Sequence, residues 1–401
     1  MKKRTDWFEE ARYGMFVHWG AYSALGRGEW VLNRERISKE EYTRTAVEVF
    51  KAEQYDPASW AELARDAGMK YMVLTTRHLD GFALWETDQD DFHAGRLGPK
   101  QDLIRPYVEA VRSAGLRVGF YYSAANLNHP DYPGAFERDW PLGWHDENAR
   151  KRFVKYYRAQ LRELMTRYGK IDLLWFDGCI PTPIDGEETI AMVRELQPDI
   201  LLNDRLGSPF DFACSEQIIL AKDGLWEACM TLNDNWGFHV GDNSWKSPET
   251  VLKMLLSSAK DGGNLLLNVG PRADGTIPEV SADILREVGK WLRKNDEFLP
   301  RSVRSPFTWN NSSIVTVRGS SVYLHFIHSP GSVFRWAELR NRVLGATFVT
   351  TGMPAEFKQE GELLWLYGLP EETDCLAITI RLDVDCVPAL VTEQKTFWIP
   401  G

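Results

Sequence analysis

The chain has 401 residues, of which 44% are hydrophobic and 26% charged, a composition typical of globular proteins with a large core. The formal net charge is −10 and no long basic run occurs, which argues against a nucleic-acid partner and against binding to anionic membrane surfaces. No segment approaches about 18 consecutive apolar residues, so we expect no membrane-spanning helix.

The start of the chain and its cysteines predict a compartment. Residues 1–4 are basic, but polar and acidic residues follow at 5–10, where a signal peptide needs an apolar stretch. We therefore expect a cytoplasmic protein, unless a leader has been removed. The five cysteines are scattered and form no Cys-x-x-Cys pair, which favours free thiols over a disulfide framework. No zinc motif occurs, so neither a metal nor a cofactor is expected.

Apolar runs that end in polar side chains alternate with helical patterns along the first 300 residues. We interpret eight runs as strands, at 13–20, 70–76, 116–122, 170–177, 200–202, 212–216, 225–227 and 262–270. The sixth, 212–216, is read as an irregular stretch that ends in a carboxylate, and 225–227 as the tip of a seventh strand. Helices with one apolar stripe are predicted at 57–67, 102–114, 153–168, 189–196, 248–259 and 285–292.

Alternation of strands and helices predicts a parallel sheet, because each parallel strand needs a crossover connection. Eight such units predict an α/β protein with a (β/α)8-like TIM barrel over residues 1–299. From residue 300 to 401 the helical periodicity disappears, and short alternating strands such as 322–326 are separated by turns. This part predicts a small C-terminal β-sandwich.

Asp177 directly follows the apolar residues 173–176 and precedes Gly178, which places it at the end of a predicted strand. Catalytic groups of barrels collect at the carboxyl ends of the strands. An aspartate before a glycine is also a common turn residue, so Asp177 alone leaves both interpretations open.

Polar and aromatic side chains recur at the other predicted strand ends and in the loops after them. They are His18, Glu29, Trp30, His78, Tyr121, Trp175, Arg205, Glu216, Glu227 and Trp236. Carboxylates, imidazoles and indoles on one face of a barrel describe a pocket for a sugar, since indoles stack on apolar faces and carboxylates bind hydroxyl groups. Paired carboxylates also perform glycoside hydrolysis, so a carbohydrate substrate is predicted.

Six motifs along the chain carry a resemblance to a known family. They are Phe16-Val17-His18-Trp19-Gly20, Glu29-Trp30, Arg77-His78-Leu79-Asp80-Gly81-Phe82, Trp175-Phe176-Asp177-Gly178, Trp226-Glu227 and residues 263–270 with the sequence GNLLLNVG. In this order, over residues 7–295, they resemble the signatures of the family 29 glycoside hydrolases, the retaining α-L-fucosidases. The resemblance implies a barrel followed by a β-sandwich, and hydrolysis of terminal α-L-fucose from oligosaccharides or glycoconjugates.

By this resemblance Asp177 is the nucleophile, which forms a covalent glycosyl ester. The positions that match the family's fucose pocket are His18, Glu29, Trp30, His78, one of Tyr121 and Tyr122, Trp175 and Arg205. Adjacent residues of a strand point to opposite faces, so only one tyrosine can face the sugar, and we expect Tyr121.

Two glutamates compete for the role of general acid/base. Glu227 belongs to the Trp-Glu motif, in which the family's carboxylate has a supporting role, whereas Glu216 lies in the variable segment before it. We therefore choose Glu216 and keep Glu227 as the alternative. A retaining pair has its carboxyl groups about 5–5.5 Å apart, and the acid needs a raised pKa to hold its proton.

Leu79 departs from the family pattern, which has a second histidine at this position. Leucine cannot form a hydrogen bond with a sugar hydroxyl, and one lost contact of this kind changes specificity strongly. An alternative substrate is therefore another fucose-like sugar, such as a β-L-arabinopyranoside or a galactoside, unless His129 or Trp236 compensates. A third hypothesis is a sugar-binding protein without hydrolysis. The oligomeric state, including a homo-oligomer, is left open.

Overall fold

The computed structural model describes residues 3–133, 144, 146–178, 184–307, 312–371 and 375–390. Cys179, counted above among the cysteines, lies outside these residues. Cys214, Cys229, Cys375 and Cys386 are free thiols. Within the described residues, no helix is both long and apolar enough to cross a membrane.

Eight parallel strands form the first part of the fold. They are β1 (Tyr13–Val17), β2 (Tyr71–Arg77), β3 (Arg117–Ser123), β4 (Leu173–Asp177), β5 (Leu201–Leu202), β6 (Ala213–Glu216), β7 (Trp226–Thr231) and β8 (Asn264–Val269). Their order in the sheet is β5-β4-β3-β2-β1-β8-β7-β6. A parallel bridge between Asn203 and Phe212 joins the two edges. The predicted barrel of parallel strands is therefore confirmed.

The helices of this part are α1 (Asp6–Ala11), α2 (Val31–Arg34), α3 (Lys39–Tyr42), α4 (Pro57–Asp66), α5 (Ile104–Ser113), α6 (Glu147–Arg167), α7 (Gly186–Leu196), α8 (Pro248–Lys260) and α9 (Glu279–Asn295). Asp56 begins α4 by accepting hydrogen bonds from the backbone N–H groups of Ala58 and Ser59. In the described residues, no α-helix lies between β5 and β6 or between β6 and β7. A single 3-10 turn, Asp204–Leu206, occupies the first of these connections.

The sixth and seventh predicted strands have different outcomes. Residues 213–216 form a regular strand, paired in register with β7, so the sixth strand is present and is more regular than the sequence predicted. Glu227 is the second residue of β7, near the amino end of the strand, and not at its tip. A charged residue after an apolar run predicts the end of a strand, but the Glu227 carboxylate has partners inside the barrel, and the strand continues to Thr231.

Two antiparallel sheets follow the barrel. One has the order β12-β15-β10-β9 and the other β11-β14-β13. Their strands are β9 (Ile314–Arg318), β10 (Ser321–Phe326), β11 (Val333–Trp336), β12 (Val343–Phe348), β13 (Glu356–Glu360), β14 (Leu363–Tyr367) and β15 (Ile378–Val384). Their apolar faces form a cluster separate from the barrel core, which confirms the β-sandwich. The sandwich contacts α9, where the Trp291 indole donates to the Ala377 carbonyl at 2.9 Å. The division into 1–299 and 300–401 stays a prediction.

Candidate active site

A cavity of about 190 Å³ lies at the carboxyl ends of the barrel strands. Typical sites for drug-sized ligands measure about 300–1,000 Å³, so this cavity fits one sugar ring better than several. The residues that line it are Phe16, His18, Glu29, Trp30, His78, Tyr121, Trp175, Asp177, Gly178, Arg205, Glu216, Cys229 and Trp236. The structure thus brings together every predicted site residue except Glu227.

Asp177 is the last residue of β4, and its side chain is 32% exposed. The Tyr121 hydroxyl donates to Oδ2 at 2.8 Å, and Nη1 of Arg205 lies 3.6 Å from Oδ1. Burial raises the pKa of Asp177, while Arg205 and Tyr121 oppose that rise by favouring the ionised form. The carboxylate is therefore held in one orientation at the cavity wall.

Glu216 is the last residue of β6, and its side chain is 42% exposed. Its Oε2 accepts a hydrogen bond from Nη2 of Arg205 at 2.5 Å. Arg205 therefore lies between Asp177 and Glu216, with one terminal nitrogen directed at each carboxyl group. The Arg205 guanidinium carbon lies 5.3 Å from the centroid of the Trp175 ring, so the indole supports the cation from below.

His18 enters the cavity as a neutral imidazole. Burial lowers its pKa to about 3. Its Nδ1 lies 2.6 Å from Oδ1 of Asn268, and Nδ2 of Asn268 donates to the Trp236 carbonyl at 2.7 Å. Since Oδ1 of Asn268 accepts, this network assigns the His18 proton to Nδ1 and leaves Nε2 as an acceptor. Asn268 was not predicted, although the period of two in β8 places it on the same face as Leu266 and Asn264.

His78 lies beside His18, with 5.7 Å between the ring centroids, and stacks on Tyr121 at 5.5 Å. Burial, followed by the effect of His18, lowers the pKa of His78 well below its ordinary value. Both imidazoles are thus suited to hydrogen bonding with hydroxyl groups and not to binding an anion.

The remaining walls combine one carboxyl group with two indoles. Glu29 is buried, which raises its pKa, and its Oε2 accepts from the Gly237 backbone N–H at 2.7 Å. The ring of Trp236 lies 5.1 Å from that of His18, and Trp30 stacks against Arg34. Flat apolar surfaces beside hydrogen-bonding groups are what a sugar ring requires.

Glu227 does not reach the cavity, since it is completely buried. Its Oε1 accepts from the Trp175 indole N–H at 3.1 Å, and its Oε2 accepts from the Tyr71 hydroxyl. Burial raises the pKa of Glu227 to about 7. Glu227 therefore lies below the cavity floor, and a substrate in the cavity would not touch it.

Tyr121 and Tyr122 point to opposite faces of β3, as the alternation of side chains along a strand requires. Tyr121 faces the cavity, whereas the Tyr122 hydroxyl donates to Oε1 of Gln160 on α6 at 2.8 Å. The residues Phe16, Gly178 and Cys229 also line the cavity and were not predicted, because small and apolar side chains carry no chemical signal in the sequence.

Leu79, expected to face the sugar, lies elsewhere. It is 4% exposed, packs in the apolar core of the barrel and does not line the cavity. His129, named as a compensating residue, packs against Phe153 and Tyr156 outside the cavity lining. No sugar hydroxyl in the cavity would meet Leu79, so this residue gives no reason to expect a different sugar.

Within the part of the chain that the structure describes, no group of three or more His, Cys, Asp or Glu side chains could hold a metal ion. What the arrangement offers is two carboxyl groups on either side of one arginine, two neutral imidazoles and a set of aromatic walls. One carboxyl group can attack a sugar carbon while the other transfers a proton, which is the chemistry of glycoside hydrolysis.

Comparison with known proteins gives the same result. Residues 1–297 match the family model described as alpha-L-fucosidase. The chain is 32% identical to tissue alpha-L-fucosidase of Bos taurus over 366 residues, which cover 81% of this chain and 75% of that protein. It superposes on alpha-L-fucosidase isoenzyme 1 from Paenibacillus thiaminolyticus with a TM-score of 0.88 and 34% identity, covering 95% of this chain and 99% of the other.

A second solved structure is a trapped covalent intermediate of a GH29 alpha-L-fucosidase from Bacteroides thetaiotaomicron, in complex with 2-fluoro-fucosyl fluoride. It was obtained with a mutant in which one glutamate is replaced by glutamine. It superposes with a TM-score of 0.87 and 25% identity, and the alignment covers 96% of each chain.

Proposed function

The chain belongs to the alpha-L-fucosidase family, and from this premise we propose that it hydrolyses terminal α-L-fucosides with Asp177 as nucleophile and Glu216 as general acid/base. The reaction retains the anomeric configuration and passes through a covalent fucosyl-enzyme. We propose oligosaccharides and glycoconjugates with terminal fucose as the substrates. The cytoplasmic location and the oligomeric state stay predictions from the sequence.

In the first step, an oxygen of the ionised Asp177 forms a bond to C1 of fucose as the bond from C1 to the departing oxygen breaks. Glu216 gives its proton to that oxygen, so the aglycone leaves as an alcohol. In the second step, Glu216 takes a proton from water, whose oxygen attacks C1 and releases Asp177. Two inversions at C1 give net retention.

One observation carries this assignment: Arg205 contacts both Asp177 and Glu216 at the wall of the cavity, while Glu227 is completely buried. The arginine stabilises the ionised nucleophile. Glu216 donates only when it is protonated, so its 2.5 Å contact with Arg205 has to loosen when the leaving group arrives.

The other residues that line the cavity bind the sugar. Nε2 of His18 accepts a hydrogen bond from a sugar hydroxyl, because Asn268 holds the proton on Nδ1. Glu29 and His78 bind further hydroxyl groups, and the indoles of Trp30 and Trp236 cover the apolar face of the ring.

Azide rescue tests both roles in one experiment, with an aryl α-L-fucoside as substrate. In Asp177→Gly, azide takes the place of the nucleophile, so we expect β-fucosyl azide. In Glu216→Ala, Asp177 still forms the ester and azide then attacks it, so we expect α-fucosyl azide. Glu227→Ala should yield neither product. NMR distinguishes the two anomers.

Two results would contradict the assignment. Full activity of Asp177→Asn would exclude Asp177 as the nucleophile. Formation of α-fucosyl azide by Glu227→Ala, with none from Glu216→Ala, would transfer the acid/base role to Glu227.

A further inference from the structure

Glu227 and Trp175 form a hydrogen-bonded pair directly below the cavity. Each carboxylate oxygen of Glu227 accepts from one donor: Oε1 from the Trp175 indole and Oε2 from the Tyr71 hydroxyl. A carboxylate without contact to solvent is costly to bury, and two donors offset part of that cost.

Trp175 connects Glu227 to the groups around the nucleophile. It lies two residues before Asp177 on β4, so both side chains are on the same face of the strand. Its indole stacks on Tyr121, with 5.9 Å between centroids and 17° between planes, and lies 5.3 Å below the Arg205 guanidinium carbon. Tyr121 and Arg205 in turn contact Asp177. The angle of this one indole therefore fixes two partners of the nucleophile.

We propose that Glu227 is a positioning residue that holds the Trp175 indole, and through it Tyr121 and Arg205, in the geometry that the reaction needs. This inference rests on the proposed function. The Trp175 indole and the Tyr71 hydroxyl both donate, so the side chain at position 227 satisfies both only if each of its two terminal atoms is an acceptor. In Glu227→Gln the side chain keeps one acceptor and gains an N–H₂ group, which opposes either Trp175 or Tyr71.

The first measurement is the kinetics of Glu227→Gln on an aryl α-L-fucoside. Hydrogen bonds to charged groups are strong enough that the loss of one should lower activity by about 10–100-fold. We expect the loss in kcat, with KM changed by less than about 3-fold, because Tyr121 and Arg205 contact the reacting carboxylates. A role in stability alone would lower the melting temperature and leave kcat of the folded enzyme unchanged.

A double-mutant cycle tests the route through Trp175. Trp175→Phe keeps an aromatic ring but has no N–H to donate. If Glu227 acts through Trp175, the double variant has the kcat of Trp175→Phe alone, because the second substitution has nothing further to remove. If the two residues act separately, the two losses multiply, and this result would overturn the proposal.

Two controls separate positioning from general damage. Tyr71→Phe removes the other donor to Glu227 and leaves Trp175 in place, so kcat should stay within about 3-fold, and an equal loss would contradict the route through Trp175. Glu163 offers a matched pair, since its buried carboxylate accepts from the Trp85 indole at 2.9 Å outside the cavity. Glu163→Gln should lower stability and leave kcat unchanged.

The remaining outcomes are also decisive. If Glu227→Gln does not fold, Trp175→Phe alone decides: a loss in kcat at constant KM supports the proposal, and an unchanged kcat overturns it.

If the wild type does not hydrolyse the fucoside, the proposed function fails. The positioning role is then measured by near-ultraviolet circular dichroism. Glu227→Gln should change the near-ultraviolet spectrum when it is introduced into the wild type, but not when it is introduced into Trp175→Phe. The same change in both backgrounds would overturn the proposal.

Discussion

Two arginines have nearly the same surroundings, one in the barrel cavity and one in the β-sandwich. Arg205 lies between Asp177 and Glu216 and is 32% exposed; Arg381 lies between Asp383 and Glu297 and is 31% exposed. Their ion pairs alone do not distinguish them. What distinguishes Arg205 is that both of its partners line a cavity, with an indole below the cation. The enclosure around an ion pair, and not the pair itself, indicates function.

Two buried histidines repeat this comparison. In the sandwich, His325 uses both ring nitrogens, with Nε2 2.8 Å from the Thr316 hydroxyl and Nδ1 3.0 Å from that of Thr379. In the barrel, His18 uses Nδ1 for Asn268, and its Nε2 has no hydrogen bond to another described residue. Both ring nitrogens of His325 thus have partners within the sandwich, whereas His18 keeps one acceptor open to the cavity for a ligand.

Substitution of the two arginines should give the largest difference in kcat/KM between the two regions. Arg205→Met removes the cation between the two carboxyl groups, so we expect kcat/KM to fall by about 10²–10³-fold, the usual effect of losing one electrostatic partner of the transition state. Arg381→Met should leave kcat/KM within about 2-fold, since exposed ion pairs contribute little. Steady-state kinetics of both variants test this, and equal losses would refute the comparison.

The adjacent residues Tyr121 and Tyr122 compare the cavity face of one strand with its core face. Tyr121→Phe removes the donor to Asp177, and we expect kcat to fall by about 10–100-fold, since hydrogen bonds to charged groups contribute about 1.5–3 kcal/mol. Tyr122→Phe removes the bond to Gln160 and should lower the unfolding free energy by about 1 kcal/mol with kcat intact. A loss of activity in Tyr122→Phe but not in Tyr121→Phe would reverse the assignment of faces.

Leu79 tests where the cavity ends and the core begins. Leu79→His would bury a polar ring among apolar neighbours, so we expect the unfolding free energy to fall by about 1–3 kcal/mol. The ratio of kcat/KM for α-L-fucoside to that for β-L-arabinopyranoside should stay the same. Urea unfolding and a panel of aryl glycosides measure the two effects. A changed ratio would show that residue 79 faces the sugar.

The smallest effect concerns pH. Burial lowers the pKa of His325 to about 3, against about 6.5 in the unfolded chain. Below pH 6.5 the unfolded state binds a proton that the native state does not, so stability present above pH 6.5 is lost as the pH falls towards 3. Each such histidine contributes up to about 1.4 kcal/mol per pH unit.

His325→Gln removes this contribution, because glutamine does not titrate. Between pH 6 and pH 5, the unfolding free energy of the wild type should fall more steeply than that of the variant, by about 1 kcal/mol per pH unit. Urea unfolding at both pH values measures the difference. Equal slopes would show that His325 is protonated in the native state.

The sequence predicted the barrel and most of the cavity because two simple rules apply. Apolar runs of the right length become strands, and the carboxyl ends of parallel strands meet on one face. Asp177 and Glu216, separated by 39 positions in the chain, were predicted to lie on the same face for this reason, while the resemblance to the family supplied their roles. The β-sandwich was predicted from the loss of helical periodicity after residue 300.

The wrong predictions concern Glu227 and Leu79, whose positions depend on residues that are distant in the sequence. The depth of Glu227 follows from Tyr71, 156 residues away, whose hydroxyl makes a buried carboxylate tolerable. Leu79 lies two residues beyond the end of β2, and the pairing of β2 with β3 already shifts between Thr75 and Arg77, so the alternation of a regular strand does not apply at residue 79. Counting alternate residues cannot reveal either feature.

Covalent labelling identifies the nucleophile itself. The wild-type chain is incubated with 2-fluoro-fucosyl fluoride, which slows hydrolysis of the intermediate, and is then digested and sequenced by mass spectrometry. We predict one label per chain, attached to Asp177. Attachment to Glu216, Glu227 or any other residue would exclude Asp177 as the nucleophile, and no label on a chain that turns over the aryl fucoside would exclude the covalent intermediate.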